Sequence, residues 1–189
     1  MSAQDSKLFV ISGPSGAGKG TLVTRVRELR SNLGLTVSAT TRAPRKGEAD
    51  GVNYFFLTRE EFDRRVANGE FVEWAEVHGN CYGTLVSEVQ SKLASGSSLI
   101  LEIDVQGALQ VKERFPEAVL IFIKPPSLEV LRERLVGRGT ETPETIELRM
   151  ANAADELALA DRYDDVVVND DLDRATDELV RVLDMHERI

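Results

Sequence analysis

One cysteine in 189 residues, Cys81, leaves no intrachain disulfide to staple the fold and suits a reducing compartment. Histidine is almost as scarce. His78 and His186, the only two, are too few and too far apart in the chain for a metal site. No window approaches the ~20 consecutive apolar residues that a membrane span requires, and Met1–Ser6 is polar, so neither an anchor nor a signal peptide is read. Positive charge is in deficit: 23 Lys and Arg oppose 32 Asp and Glu, a net charge of -9 that repels polyanions at long range and argues against general nucleic-acid binding. These absences together predict a soluble, cytoplasmic protein without nucleic acid or membrane as partner.

What the chain does carry is enough apolar residue, 42%, to build one compact core. Short runs rich in Val, Ile and Leu (Leu8–Ser12, Leu99–Ile103, Val119–Ile123, Val166–Val168) predict buried strands. Apolar residues at three- and four-residue spacing predict helices over Thr21–Leu33, Val105–Arg114, Ser127–Val136, Glu144–Ala160 and Asp173–His186. Strand followed by helix, repeated, is the pattern of an α/β fold with a parallel sheet, whose ligand crevice lies at the carboxyl ends of the strands. From about Leu35 to Gly96 that alternation breaks into extended segments, Thr36–Ala39, Tyr54–Leu57 and Phe71–Val77, separated by turn residues. This predicts an inserted lobe of mixed strands and helix. Gly137–Pro143 joins two helices with glycines flanking Arg138 and reads as a mobile lid.

The strongest chemical signal is Gly13-Pro14-Ser15-Gly16-Ala17-Gly18-Lys19-Gly20-Thr21, set between an apolar strand and a helix. Glycines let the backbone turn successive N–H groups toward a phosphate chain, the helix start adds its dipole, and Lys19 brings a charge to the β/γ region. Gly20 stands where the commonest pattern has Ser or Thr. Thr21 follows as a weaker magnesium donor, leaving the metal mainly to nucleotide oxygens and water. A second cluster, Ser38-Ala39-Thr40-Thr41-Arg42-Ala43-Pro44-Arg45, places two arginines in an irregular segment, where their planar forks suit a second phosphate but are equally compatible with solvated loop charges. Asp104 ends the run Leu99–Ile103 at the carboxyl end of a strand, a functional position in such folds. Strand alternation by itself predicts Glu73 to face outward and Trp74 to lie in the core. His78 and His186 read as surface residues.

Those motifs, with Gly47-Glu48, Gly51, Tyr54, Glu70-Phe71-Val72-Glu73-Trp74, Tyr82-Gly83, Asp104-Val105-Gln106-Gly107, Gly137-Arg138-Gly139-Thr140 and Val168-Asn169-Asp170, resemble the guanylate kinase family nearly end to end. The resemblance implies a P-loop nucleoside monophosphate kinase fold with a core (1–34, 97–133, 151–189), a GMP-binding lobe (35–96) and a lid region (134–150). It implies ATP and GMP as substrates, with dGMP acceptance and oligomeric state left open, and Mg²⁺ accompanying ATP. Ser38, Arg42, Arg45 and Tyr54 match the residues that hold the GMP phosphate. Glu73, Thr84 and Asp104 match those that read guanine, with Tyr82 beside the nucleotide. Arg138 and Arg149 match the arginines that close on the transferring phosphoryl group with Lys19, Arg42 and Arg45, while Arg134 and Asn169 match positions near adenine. Cys81 stands where relatives often carry an aromatic residue and Ala39 where some carry serine. Two other readings are compatible with parts of the pattern: a kinase for another nucleoside monophosphate, because Gly18-Lys19-Gly20-Thr21 also resembles adenylate kinase loops, and a peptide-binding scaffold module. The acids at 73 and 104 disfavour the first, and the intact Lys19 and arginines disfavour the second.

Overall fold

The structure, a computed structural model, describes residues 6–77, 79–137 and 142–187. Its centre is a parallel five-stranded sheet with the order β2-β7-β1-β8-β9: Gly34–Leu35 (β2), Leu99–Glu102 (β7), Leu8–Ser12 (β1), Val119–Lys124 (β8) and Asp165–Val168 (β9). The apolar runs of β1, β7 and β8 are continuous because both faces are covered, whereas β9, expected to be buried, is an edge strand that leaves Val166 and Val168 exposed and buries only Val167. Phe9 and Ile11 pack on one side with Val23 and Val26 of helix α1 (Lys19–Leu29) and with Leu179 and Leu183 of the last helix, α7 (Leu172–Glu187). Leu8 and Val10 pack on the other with Val89 of α3 (Val86–Ala94) and Ala108 and Val111 of α4 (Val105–Arg114). Alternate residues of one strand thus serve two half-cores, and each large side chain fully buried there contributes roughly 1.5–3 kcal/mol.

The inserted segment forms its own four-stranded sheet, β4-β3-β6-β5, from Ala39–Thr40 (β3), Phe55–Phe56 (β4), Phe71–Val77 (β5) and Asn80–Leu85 (β6). Helix α2 (Arg59–Ala67), capped by Thr58 through the Glu61 N–H, places Phe62 against Phe71, ring centres 4.4 Å apart. Two features depart from the predicted boundaries. Leu35 pairs with Ile100 in the core sheet, and Val86, Val89 and Leu93 of α3 belong to the core cluster, so both ends of the 35–96 segment pack with the core. Helix α1 stops at Leu29 where Arg30 leaves helical geometry, and Leu33 reaches the core from the turn beyond it. Helices α5 (Leu128–Gly137) and α6 (Pro143–Leu157) pack through Leu131, Leu135, Ile146 and Ala153. Thr142 caps α6 and Pro143 occupies its first position, where a missing N–H costs nothing.

Trp74 is 40% exposed and is not a core residue, and Glu73, far from facing outward, is 8% exposed. A β-bulge between Phe71 and Glu73 explains both: Phe71 pairs with Leu85 and Glu73 with Thr84, so two residues of β5 pass against one of β6. The slip puts Phe71 and Trp74, three apart, both against Phe62 and turns Glu73 to the Thr84 face. His186 is likewise no free surface residue, since its Nε2 lies 2.6 Å from Asp165 Oδ2 and ties α7 to β9. His78 and Arg138 lie outside the described residues.

Candidate active site

The chain order places the loop after β1, Asp104 after β7 and Asn169 after β9 along the carboxyl edge of the core sheet, where ligand crevices of such sheets form. The loop is built from backbone that side chains would obstruct. Gly13 has φ +137°, and a Cβ there would stand 2.2 Å from the Ile123 carbonyl oxygen; Gly18 has φ +92°, and its Cβ would meet Asn169 Nδ2 at 2.3 Å. Gly18 is also the N-cap of α1 and offers no side chain to the helix start, so the first N–H groups of α1 have no side-chain cap and are suited to an anion.

Four side chains brace this loop. Lys19 Nζ donates to the carbonyls of Gly13 (2.6 Å) and Pro14 (3.2 Å), holding its charge over the loop. Asn169 Nδ2 donates to Ala17 O at 2.8 Å, and Arg134 donates to Asn169 O at 2.8 Å. Arg149 of α6 donates to the Ser15 hydroxyl. An open depression of about 380 Å³ lies beside the loop, lined by Gly16, Gly18, Thr21, Arg134, Asn169 and Asp170 among others. Arg134, Asn169 and Thr21 are therefore brought together with the loop, as is Arg149.

On the lobe side, Arg42 donates to both oxygens of Glu48, and its guanidinium carbon lies 5.4 Å from the Tyr54 ring centre. The Tyr54 and Tyr82 rings are 6.2 Å apart, and Ser38 receives the Phe55 N–H through its carbonyl next to them. Arg45 shares the same loop, its backbone N–H bound to Glu48. Deeper in, Thr84 donates to Glu73 Oε1 at 2.7 Å, and Asp104 accepts from Gly107 N at 2.8 Å as the N-cap of α4. Burial pushes the Glu73 carboxyl up to about 7; the Thr84 hydroxyl draws it down and the Asp104 charge adds to the rise.

Three acids at the site went unassigned by sequence. Glu48 was visible only as a motif letter. Glu102 ends β7, 3.4 Å from where a Cβ on Gly20 would stand, and desolvation holds its carboxyl above the usual range against the pull of Lys19. Glu156 of α6 is raised by desolvation too, with Lys19 lowering it and Asp104 raising it. Helical spacing from Arg149 would have pointed to Glu156, two turns along the same face.

A family model described as guanylate kinase matches residues 5–186. The chain belongs to the guanylate kinase family. A guanylate kinase of Halalkalibacterium halodurans is 51% identical over 183 residues, 97% of this chain and 90% of the relative. One from Gloeobacter violaceus is 56% identical over 178 residues, 94% of this chain and 87% of the relative. The crystal structure of guanylate kinase from Anaplasma phagocytophilum superposes with a TM-score of 0.73 at 37% identity, covering 96% of this chain and 86% of that one. The parallel sheet core and its inserted four-stranded lobe are thus the form the guanylate kinase fold takes in this chain.

Proposed function

We propose that this guanylate kinase transfers the γ-phosphoryl group of ATP to GMP, giving ADP and GDP, in the cytoplasmic recycling of purine nucleotides. The observation that carries the reading is the polar set between lobe and core: Glu73, Thr84 and Asp104 converge where a base with two adjacent donors and one carbonyl would be read, while Lys19 and the loop after β1 supply a phosphate cradle. The Watson–Crick edge of guanine offers N1–H and the 2-amino group to the carboxylates and O6 to the Thr84 hydroxyl, whose single proton turns from Glu73 to O6 when the base binds; adenine presents the wrong pattern. Arg42, Arg45, Ser38 and Tyr54 hold the GMP phosphate, and Tyr82 flanks the nucleotide. Arg134 and Asn169 border the adenine of ATP, and Lys19, Arg149 and Arg138 offset the charge that develops between the two phosphate groups.

The attacking oxygen belongs to the GMP phosphate, whose second pKa near ~6 leaves it largely dianionic at neutral pH, so no side chain has to remove a proton. The chain's task is to bring two polyanions into line, which these local cations do despite the net charge of -9, since distant charges are screened beyond ~8 Å. No group of three or more metal-ligating side chains occurs among the described residues. Mg²⁺ would be held mainly by nucleotide oxygens and water, with the Thr21 hydroxyl and Glu102, which lies beside Gly20, as side chains that could offer it oxygens. When bound, it neutralises phosphate charge. No helix among the described residues is long and apolar enough to cross a membrane.

A coupled assay for ADP production with ATP, Mg²⁺ and a panel of GMP, dGMP, AMP, UMP and dTMP tests the assignment. Turnover confined to the guanine nucleotides is expected; preferred turnover of AMP or a pyrimidine nucleotide refutes it.

A further inference from the structure

The loop from Thr41 to Glu48 holds more order than a phosphate clamp made of two arginines would need. Both oxygens of Glu48 accept from Nη2 of Arg42, at 2.9 and 3.0 Å, and Oε2 also accepts from the Arg45 N–H at 2.7 Å. The Glu48 N–H in turn donates to the Arg45 carbonyl at 3.0 Å, closing a ring of contacts around a single carboxylate. Gly47, with φ +92° and open space where a Cβ would stand, lets the chain make this turn. On its other side the Arg42 guanidinium lies 5.4 and 5.9 Å from the ring centres of Tyr54 and Phe56, and Nη1 donates to Ala43 O. The two ionic side chains are 16% and 19% exposed, shielded enough for one geometry to be held.

A guanidinium has five N–H donors, more than Glu48 and Ala43 engage, so the fork can keep its carboxylate partner and still receive a phosphate oxygen. Without Glu48, the long Arg42 side chain and the Arg45 backbone would have to be ordered when the nucleotide binds, and that ordering entropy would weaken binding. We propose that Glu48 is a positioning residue of the acceptor site, fixing the Arg42 fork and the Arg45 backbone as one unit before GMP arrives. The inference rests on the reading of Arg42 as a clamp for the GMP phosphate.

Steady-state kinetics on wild type, Glu48→Gln, Arg42→Ala and the double variant separate the two ideas. Glu48→Gln should raise KM for GMP about tenfold or more, the scale of losing charge-assisted hydrogen bonds, while KM for ATP and kcat at saturating GMP stay within about twofold. In the Arg42→Ala background the same change should have a clearly smaller effect, because only the Arg45 N–H is then left for Glu48 to hold. Glu48→Asp, which keeps a carboxylate, should recover part of the loss. If Glu48→Gln leaves KM for GMP unchanged or lowers it while Arg42→Ala raises it, the clamp stands and the positioning role is wrong. A KM increase of the same size in the Arg42→Ala background overturns it as well. Loss of ATP binding in parallel would assign Glu48 to folding and overturn it too. If Arg42→Ala itself leaves KM for GMP unaltered, the clamp and the positioning role fail together.

Discussion

Glu73 and Asp104 come from the lobe and the core and meet over one glycine: a Cβ on Gly107 would lie 3.3 Å from Glu73 Oε2 and 3.5 Å from Asp104 Oδ1. One acid sits on the lobe strand β5, the other caps α4 at the core edge, and the missing side chain at 107 lets them approach.

Base choice should therefore depend on both acids. Glu73→Gln and Asp104→Asn keep the size of the group but replace a charged acceptor, so GMP should lose on the order of 1.5–3 kcal/mol of transition-state binding per bond while AMP loses little. Asn caps a helix nearly as well as Asp, so the second change spares α4. The ratio of kcat/KM for GMP over AMP is the quantity to measure, and a wild-type ratio in both variants would move guanine recognition to Thr84 and the backbone.

A methyl group at 107 gives a sharper test of the convergence. Gly107→Ala favours the helix by up to ~1 kcal/mol, so Tm should hold or rise. The tight contact to Glu73 should nevertheless raise KM for GMP severalfold and leave KM for ATP alone. Unchanged GMP kinetics would show that the carboxylates have room to spare.

The raised Glu73 carboxyl, at about 7, has a signed consequence for stability. Between its ordinary value and 7 the folded protein binds a proton that the unfolded chain has released, so stability falls as pH rises through this window. The drop attributable to Glu73 is about 3 kcal/mol at most and is complete above pH 7. Denaturant unfolding of the ligand-free protein from pH 5 to pH 8 should show a decline that Glu73→Gln reduces. Binding of GMP, which needs the ionised acid, should release more protons near pH 6.5 in wild type than in that variant, measured by calorimetry in two buffers of different ionisation heat.

Lys19 holds two loop carbonyls, and in the proposed reaction its charge faces the phosphates. Lys19→Ala should lower kcat by ~100-fold or more, equivalent to roughly 3 kcal/mol from removal of one transition-state donor. Circular dichroism should confirm a folded protein, and near-wild-type kcat would remove Lys19 from the reaction.

Local sequence determined the parts of this protein that rest on short-range physics. The continuous apolar runs specified β1, β7 and β8 because a strand covered on both faces leaves little room for polar side chains, and the glycines at 13, 16 and 18 specified the loop because φ near +90° or beyond is closed to other residues. Pairing across the chain decided the rest. The bulge opposite Thr84 turned Glu73 inward and Trp74 outward against simple alternation, since register belongs to two strands at once and cannot be read from either alone. The placements of Glu48 under Arg42, of Glu102 beside Gly20 and of Glu73 next to Asp104 are likewise products of tertiary packing: acids look alike along a sequence, and only the folded chain brings each to the cation, glycine or partner acid that defines its chemistry.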